Sequence, residues 1–136
     1  MLKVTLDTNV LISALITNGK SRALFYDLVK GKATLVVSEG ILEEFVTVTN
    51  DPRIRRYVTE KDVKGFLRVI SNIAEVIKVK SKLRVIKEDP DDDIILETAF
   101  DGNVDNIVTG DEHLLKLKKF KGINIITVND MIKLIE

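Results

Sequence analysis

The chain has no cysteine. That absence removes disulfides, thiolate metal sites and cysteine nucleophiles together. A single histidine, His113, rules out a multi-histidine metal centre. A serine nucleophile would depend on that one imidazole as its base, and no G-x-S-x-G elbow is present. The phosphate-cradling patterns G-x-x-x-x-G-K-[ST] and G-x-G-x-x-G are missing too. No apolar run approaches the ~20 residues of a membrane span, and Met1-Leu2-Lys3-Val4 enters a strand pattern at once, without the look of a signal peptide. The expectation is a soluble, cytoplasmic protein. There are only two prolines, and the breaks they make at Asp51-Pro52 and Asp89-Pro90 read as loops within one domain spanning 1–136. At that length a core forms without staples.

Any metal bound by such a chain is hard and oxygen-liking, Mg²⁺ or Mn²⁺. The net charge of zero hides a segregation. Asp51 to Lys87 carries eleven basic and four acidic residues, a net +7, whereas Glu88 to Glu112 carries ten acids and no Lys or Arg. This differs from the basic excess of a generic DNA binder. It fits an acidic pocket for cations beside a basic flank for a polyanion backbone, although a solvated charge mosaic would read the same way.

Apolar periodicity alternates strands with helices. Leu2–Leu6, Thr34–Val37, Glu75–Val79, Asn106–Thr109 and Asn124–Thr127 read as five strands, the third at an edge. Ser21, Ser38, Asn129 and a Thr59/Asp62 capping box are expected to start helices. Alternation of this kind predicts a three-layer α/β/α fold with a five-stranded parallel sheet. Right-handed crossovers then bring the strand carboxyl ends and helix amino ends to one edge, where open α/β sheets bind ligands.

Acids fall on that edge. Asp7 follows the first strand, Asp111 follows Ile107-Val108-Thr109-Gly110, and Asp91-Asp92-Asp93 open a helix after Pro90. Each could simply cap a helix or meet its dipole. Thr8 and Asn9 could cap as well as Asp7 does, and three acids exceed what one cap requires. Glu43 and Glu44 are adjacent on a helix and face directions about 100° apart, so one can turn to the edge while the other is solvated. Asp7, Asp92 and Asp111 mark three separate junctions on one edge. Carboxylates gathered there repel unless a cation lies between them, which points to an enzyme.

The motifs resemble those of the PIN domain family, the ribonucleases that include VapC-like toxins of toxin–antitoxin systems. Leu6-Asp7-Thr8-Asn9-Val10-Leu11-Ile12-Ser13 is similar to the opening motif and Ile41-Leu42-Glu43-Glu44-Phe45 to the second. Asp89 to Ala99 resembles the third, Ile107 to Asp111 the fourth, and Gly122 to Thr127 the closing strand. The resemblance covers nearly the whole chain. It implies strand order 3-2-1-4-5, a Mg²⁺ or Mn²⁺ cofactor, an RNA substrate, a cognate antitoxin and a homodimer. It carries the site over to Asp7, Glu44, Asp92 and Asp111 as metal ligands and catalytic acids. Thr8, Asn9, Ser13 and Thr109 become polar supports, and Asp93 stands as an alternative to Asp92. The alternative function is a catalytically silent PIN-like module that binds RNA or protein without cutting. A phosphoacceptor α/β domain would want a Lys in a matching motif, and none is found.

Overall fold

The computed structural model describes residues 1–82 and 91–136, the side chains of Asp91 and Asp92 excepted. The Asp89-Pro90 break and the Asp92 carboxylate therefore lie outside the described residues.

The chain opens with β1 (Lys3–Leu6), α1 (Thr8–Ile16), α2 (Lys20–Val29), β2 (Thr34–Ser38) and α3 (Glu39–Thr49). A one-turn α4 (Pro52–Arg55), a long α5 (Glu60–Ile73) and β3 (Glu75–Ile77) follow. Then come α6 (Asp91–Asp101), β4 (Asn106–Val108), α7 (Glu112–Leu115), β5 (Lys119–Phe120), β6 (Ile123–Ile126) and α8 (Val128–Ile135).

The sheet order is β3-β2-β1-β4-β6-β5, parallel except for the β5–β6 pair. The five expected strands take the expected order, with β6 as the fifth. The sixth strand corrects the count. Lys121 at φ 48° and Gly122 at φ 83° form a two-residue turn with both central residues left-handed, and Phe120 pairs with Ile123 across it. Such turns match the twist of a hairpin, and this one adds a short antiparallel edge.

Residues alternate along each strand and so divide the core between the two faces of the sheet. Val4 and Leu6 of β1, Leu35 and Val37 of β2, and Val108 of β4 pack under α1, α2, α3, α5 and α8. Val36, Ile107 and Ile125 face the opposite layer, where Ile95, Leu96, Ala99 and Leu114 of α6 and α7 cover them. Phe66 of α5 stacks on Phe25 and Phe45 at centroid distances of 4.5 and 5.5 Å, joining α2, α3 and α5 in one aromatic cluster. Gly102 follows α6 in close contact with β2. A Cβ there would meet Val36 Cγ1 at 2.7 Å and the Thr98 carbonyl at 2.9 Å.

The caps are partly as expected. Ser38 caps α3, and Thr59 with Asp62 makes a reciprocal capping box at α5. Ser21 does not cap α2. The chain enters that helix two residues earlier, through an extended Gly19 with no side-chain cap. Nor does Asn129 cap α8, because Thr127 and Asp130 form a second reciprocal box there. A box satisfies two backbone donors where a lone Asn satisfies one, so it displaces the Asn. Asp51-Pro52 is a start as well as a break. Asp51 accepts from the Arg53 amide, and Pro52 occupies the first position of α4.

Candidate active site

β1 and β4 are neighbours at the centre of the sheet and end side by side. The Asp7 amide donates to the Val108 carbonyl at 2.9 Å, and the Thr109 amide donates to the Ile126 carbonyl at 3.0 Å. These bonds carry the sheet pairing one residue past each strand. They also fix where Asp7 and Thr109 leave the sheet.

Asp7 is only 5% exposed. Thr109, fully buried, donates its hydroxyl to Asp7 Oδ2 at 2.7 Å. The Asp111 amide in turn donates to Thr109 Oγ1 at 3.0 Å. A hydroxyl has one proton, and with Oγ1 accepting from Asp111 that proton is directed to the carboxylate. Asp7 Oδ1 accepts from the Asn9 amide at 3.4 Å, so Asp7 caps α1 while its other oxygen faces the Thr109 hydroxyl. Asp111 likewise caps α7, its Oδ1 accepting from the amides of His113 and Leu114 at 2.8 and 3.4 Å. The capping and site readings of both acids are therefore compatible.

Burial raises the Asp7 pKa above the ordinary carboxylate value. The Thr109 and Asn9 bonds oppose that rise, and the nearby Asp111 charge adds to it. A buried carboxylate beside a second one gains most from a cation. The donors at this junction are oxygens, as a hard divalent ion prefers. Thr8 Oγ1 is buried without a hydrogen-bond partner among the described residues, one further oxygen next to Asp7 in the chain. On these grounds the residues fit a Mg²⁺ or Mn²⁺ ion.

The other expected residues divide. Glu44 is half-buried on α3, one residue before the fully buried Phe45, whereas Glu43 is exposed. Glu43 lines a separate recess of about 310 Å³ with Ser38, Lys78, Ile94 and Glu97. On α6, Asp93 is 7% exposed and one turn from Glu97. Burial raises the Glu97 pKa, and the charges of Asp93 and Asp101 add to it. The Ser38 and Thr98 hydroxyls, both buried, lie 2.7 Å apart and tie α6 to the end of β2. Asp7 and Asp111 are brought near enough for their charges to interact, and among the described residues no group of three or more acids or histidines is placed to share an ion. His113 is exposed on α7. Asn9, Ser13 and Thr109 line a cleft of about 490 Å³ beside the acids. The same cleft contains Lys20 and Asn129, which motif reading passed over, since a lysine at a helix start and an asparagine near a cap carry no distinctive signal.

The PIN domain family profile matches residues 3–113, and the chain belongs to that family. An uncharacterised protein of Methanocaldococcus jannaschii is 31% identical over 119 residues, which cover 86% of this chain and 76% of the relative. Two solved structures share the fold. VapBC2 from Rickettsia felis, bound to a DNA fragment from its promoter, superposes with a TM-score of 0.62 at 17% identity, covering 93% of this chain and 98% of that one. A domain of a functionally unknown protein from M. jannaschii superposes with a TM-score of 0.58 at 19% identity, covering 92% and 89%. Among the described residues no helix is long and apolar enough to cross a membrane.

Proposed function

We propose that this protein is a Mg²⁺- or Mn²⁺-dependent endoribonuclease that hydrolyses RNA phosphodiester bonds at the Asp7 centre. PIN domains are in general nucleases. The observation that carries the reading for this chain is the buried Asp7, held by the Thr109 hydroxyl and raised in pKa beside Asp111.

Asp7, Asp111 and an acid from the start of α6, Asp92 or its neighbour Asp93, would hold the ion. When bound, a divalent ion lowers the pKa of water and neutralises charge gathering on the phosphate. The chain's own groups do the positioning. Thr109 holds the Asp7 carboxylate in one orientation. The first-turn amides of α7 hold Asp111 through Oδ1, and among the described residues Oδ2 makes no hydrogen bond. Glu44, reaching from α3, would orient the attacking water or accept its proton. No histidine is required.

The likeness to VapBC2 supports a toxin paired with an antitoxin, whose arginine would suit an acidic edge. Exposed Val46 and Tyr57 on the α3–α5 arm are candidate contacts for a homodimer.

The test is cleavage of a mixed RNA panel by wild type and Asp7→Asn with Mg²⁺, Mn²⁺ or EDTA. Cutting that needs metal and disappears in the variant is the expected result. Equal cutting by both proteins would remove Asp7 from the chemistry and overturn the assignment.

A further inference from the structure

The cleft of about 490 Å³ beside the acid centre has features the cutting reaction leaves unexplained. Its volume lies within the roughly 300–1,000 Å³ of small-molecule sites. Asn9 and Thr109, both hydrogen-bonded to Asp7, line it together with Gly110, Ser13, Lys20 and Asn129. Val10, Leu115 and Val128 supply an apolar surface. Among the described residues the Lys20 ammonium makes no ion pair, and the side-chain amides of Asn9 and Asn129 make no hydrogen bond. A free cation, two carboxamides and an apolar wall in one cleft match the phosphate, the base edge and the base face of a nucleotide.

The position of Lys20 is fixed by more than its own residue. Arg22, one half-turn further along α2, donates from Nε to the Ala14 carbonyl at 2.9 Å and from Nη2 to the Leu15 carbonyl at 2.6 Å. The start of α2 is thereby tied to the end of α1, the helix that Asp7 caps. The first turn of α2 also lacks a side-chain cap, and the positive end of the helix dipole there has the same sign as the lysine.

We propose that this cleft is a nucleotide-binding subsite. It takes the nucleotide adjoining the phosphodiester at the acid centre, with Lys20 on its phosphate and Asn9 and Asn129 on its base. Single-stranded RNA is read in this way, by hydrogen bonds to the edges of unstacked bases and contact with their faces. Asn129 then becomes a determinant of base preference. The inference rests on the nuclease reading of the acid centre.

The test is an amide-resolved NMR titration of the full chain in EDTA with AMP, CMP, GMP and UMP, followed by steady-state cleavage of RNA. The expected result is saturable shifts at Lys20, Ser21, Gly110 and Asn129, differing between bases. Lys20→Ala is expected to weaken nucleotide binding about tenfold, the lower range for a hydrogen bond to a charged group, while Lys20→Arg retains it. In cleavage, Lys20→Ala raises KM by a similar factor and leaves kcat within about threefold, as loss of uniform binding does. Asn129→Ala is expected to flatten the base preference. Inorganic phosphate that shifts the same amides as strongly as AMP would overturn the nucleotide assignment. So would nucleotide shifts elsewhere, or wild-type binding by both alanine variants. The two readings fail separately. Nucleotide binding in the cleft without RNA cleavage sinks the nuclease and keeps the subsite. Metal-dependent cleavage with unchanged KM in both variants keeps the nuclease and sinks the subsite.

Discussion

Replacing Thr109 by Val tests whether the Thr109 hydroxyl supports an ionised Asp7. The two side chains have the same shape, and Thr109 is fully buried, so the change removes a hydrogen-bonding group and little else. Two bonds go with it, the 2.7 Å donation to Asp7 Oδ2 and the 3.0 Å acceptance from the Asp111 amide. A hydrogen bond to a charged group contributes about 1.5–3 kcal/mol, and the orphaned amide is part-buried, so the loss is about 2–3 kcal/mol at neutral pH. At about 2.1 cal/mol/K per residue, 136 residues give an unfolding entropy near 0.29 kcal/mol/K, so 2 kcal/mol lowers Tm by about 7 °C. The pH dependence carries a sign. Burial already raises the folded pKa of Asp7 above its unfolded value, so the folded state binds the extra proton and ionisation costs stability as pH rises through that pKa. Losing the Thr109 bond, the strongest opposing effect, raises the folded pKa further. The deficit of the variant should therefore be full above its own folded pKa. It should shrink as pH falls from there to the wild-type folded pKa. Urea unfolding in EDTA from pH 4 to 8 measures this. A loss under about 0.5 kcal/mol at pH 7, within the scatter of ordinary substitutions, or a larger loss that ignores pH, would refute the link between Thr109 and an ionised Asp7.

Two other outcomes follow from the same structure. Asp7→Asn keeps an oxygen for the α1 cap but removes a charge whose pKa burial has raised, so in EDTA at neutral pH the variant is expected to match or exceed wild type in Tm; a clear loss in calorimetry would show that the ionised carboxylate itself stabilises the fold. Gly102→Ala places a Cβ against Val36 and the Thr98 carbonyl, and overpacking of that kind costs roughly 1–3 kcal/mol; a wild-type denaturation midpoint would show that α6 slides freely on β2.

Much of the architecture was legible because it depends on patterns that repeat. β1 and α1 follow from the change of apolar period around Asp7, and the Thr59/Asp62 box announces α5 in four letters. The missed elements are the ones too short to repeat anything. β5 is two residues long, and its turn uses Lys at a left-handed position where Asn or Asp would have signalled it. Asp51-Pro52 carries the signature of a helix start, yet beside the end of α3 it reads equally as a stop. The helix starts expected at 21 and 129 differ because a polar residue in the first turn resembles a cap, while the chain enters through Gly19 and Thr127, two residues earlier in each case. At the site, Asp7, Thr109 and Asp111 could be named from the sequence, but the direction of the hydrogen bonds among them could not. That direction depends on β1 and β4 ending in register, a fact of pairing between segments a hundred residues apart.

That separation has a consequence in time. β1 and β2 can pair once the first 38 residues exist, but the bond that fixes Asp7 spans 102 residues and waits for Thr109. At ribosomal rates of about 5–20 residues per second, the acid centre completes roughly 5–20 s after Asp7 is synthesised. Until then Asp7 stands at the end of an unfinished sheet without the Thr109 hydroxyl. Any chemistry that needs Asp7 held by Thr109 therefore waits until that later segment has been made.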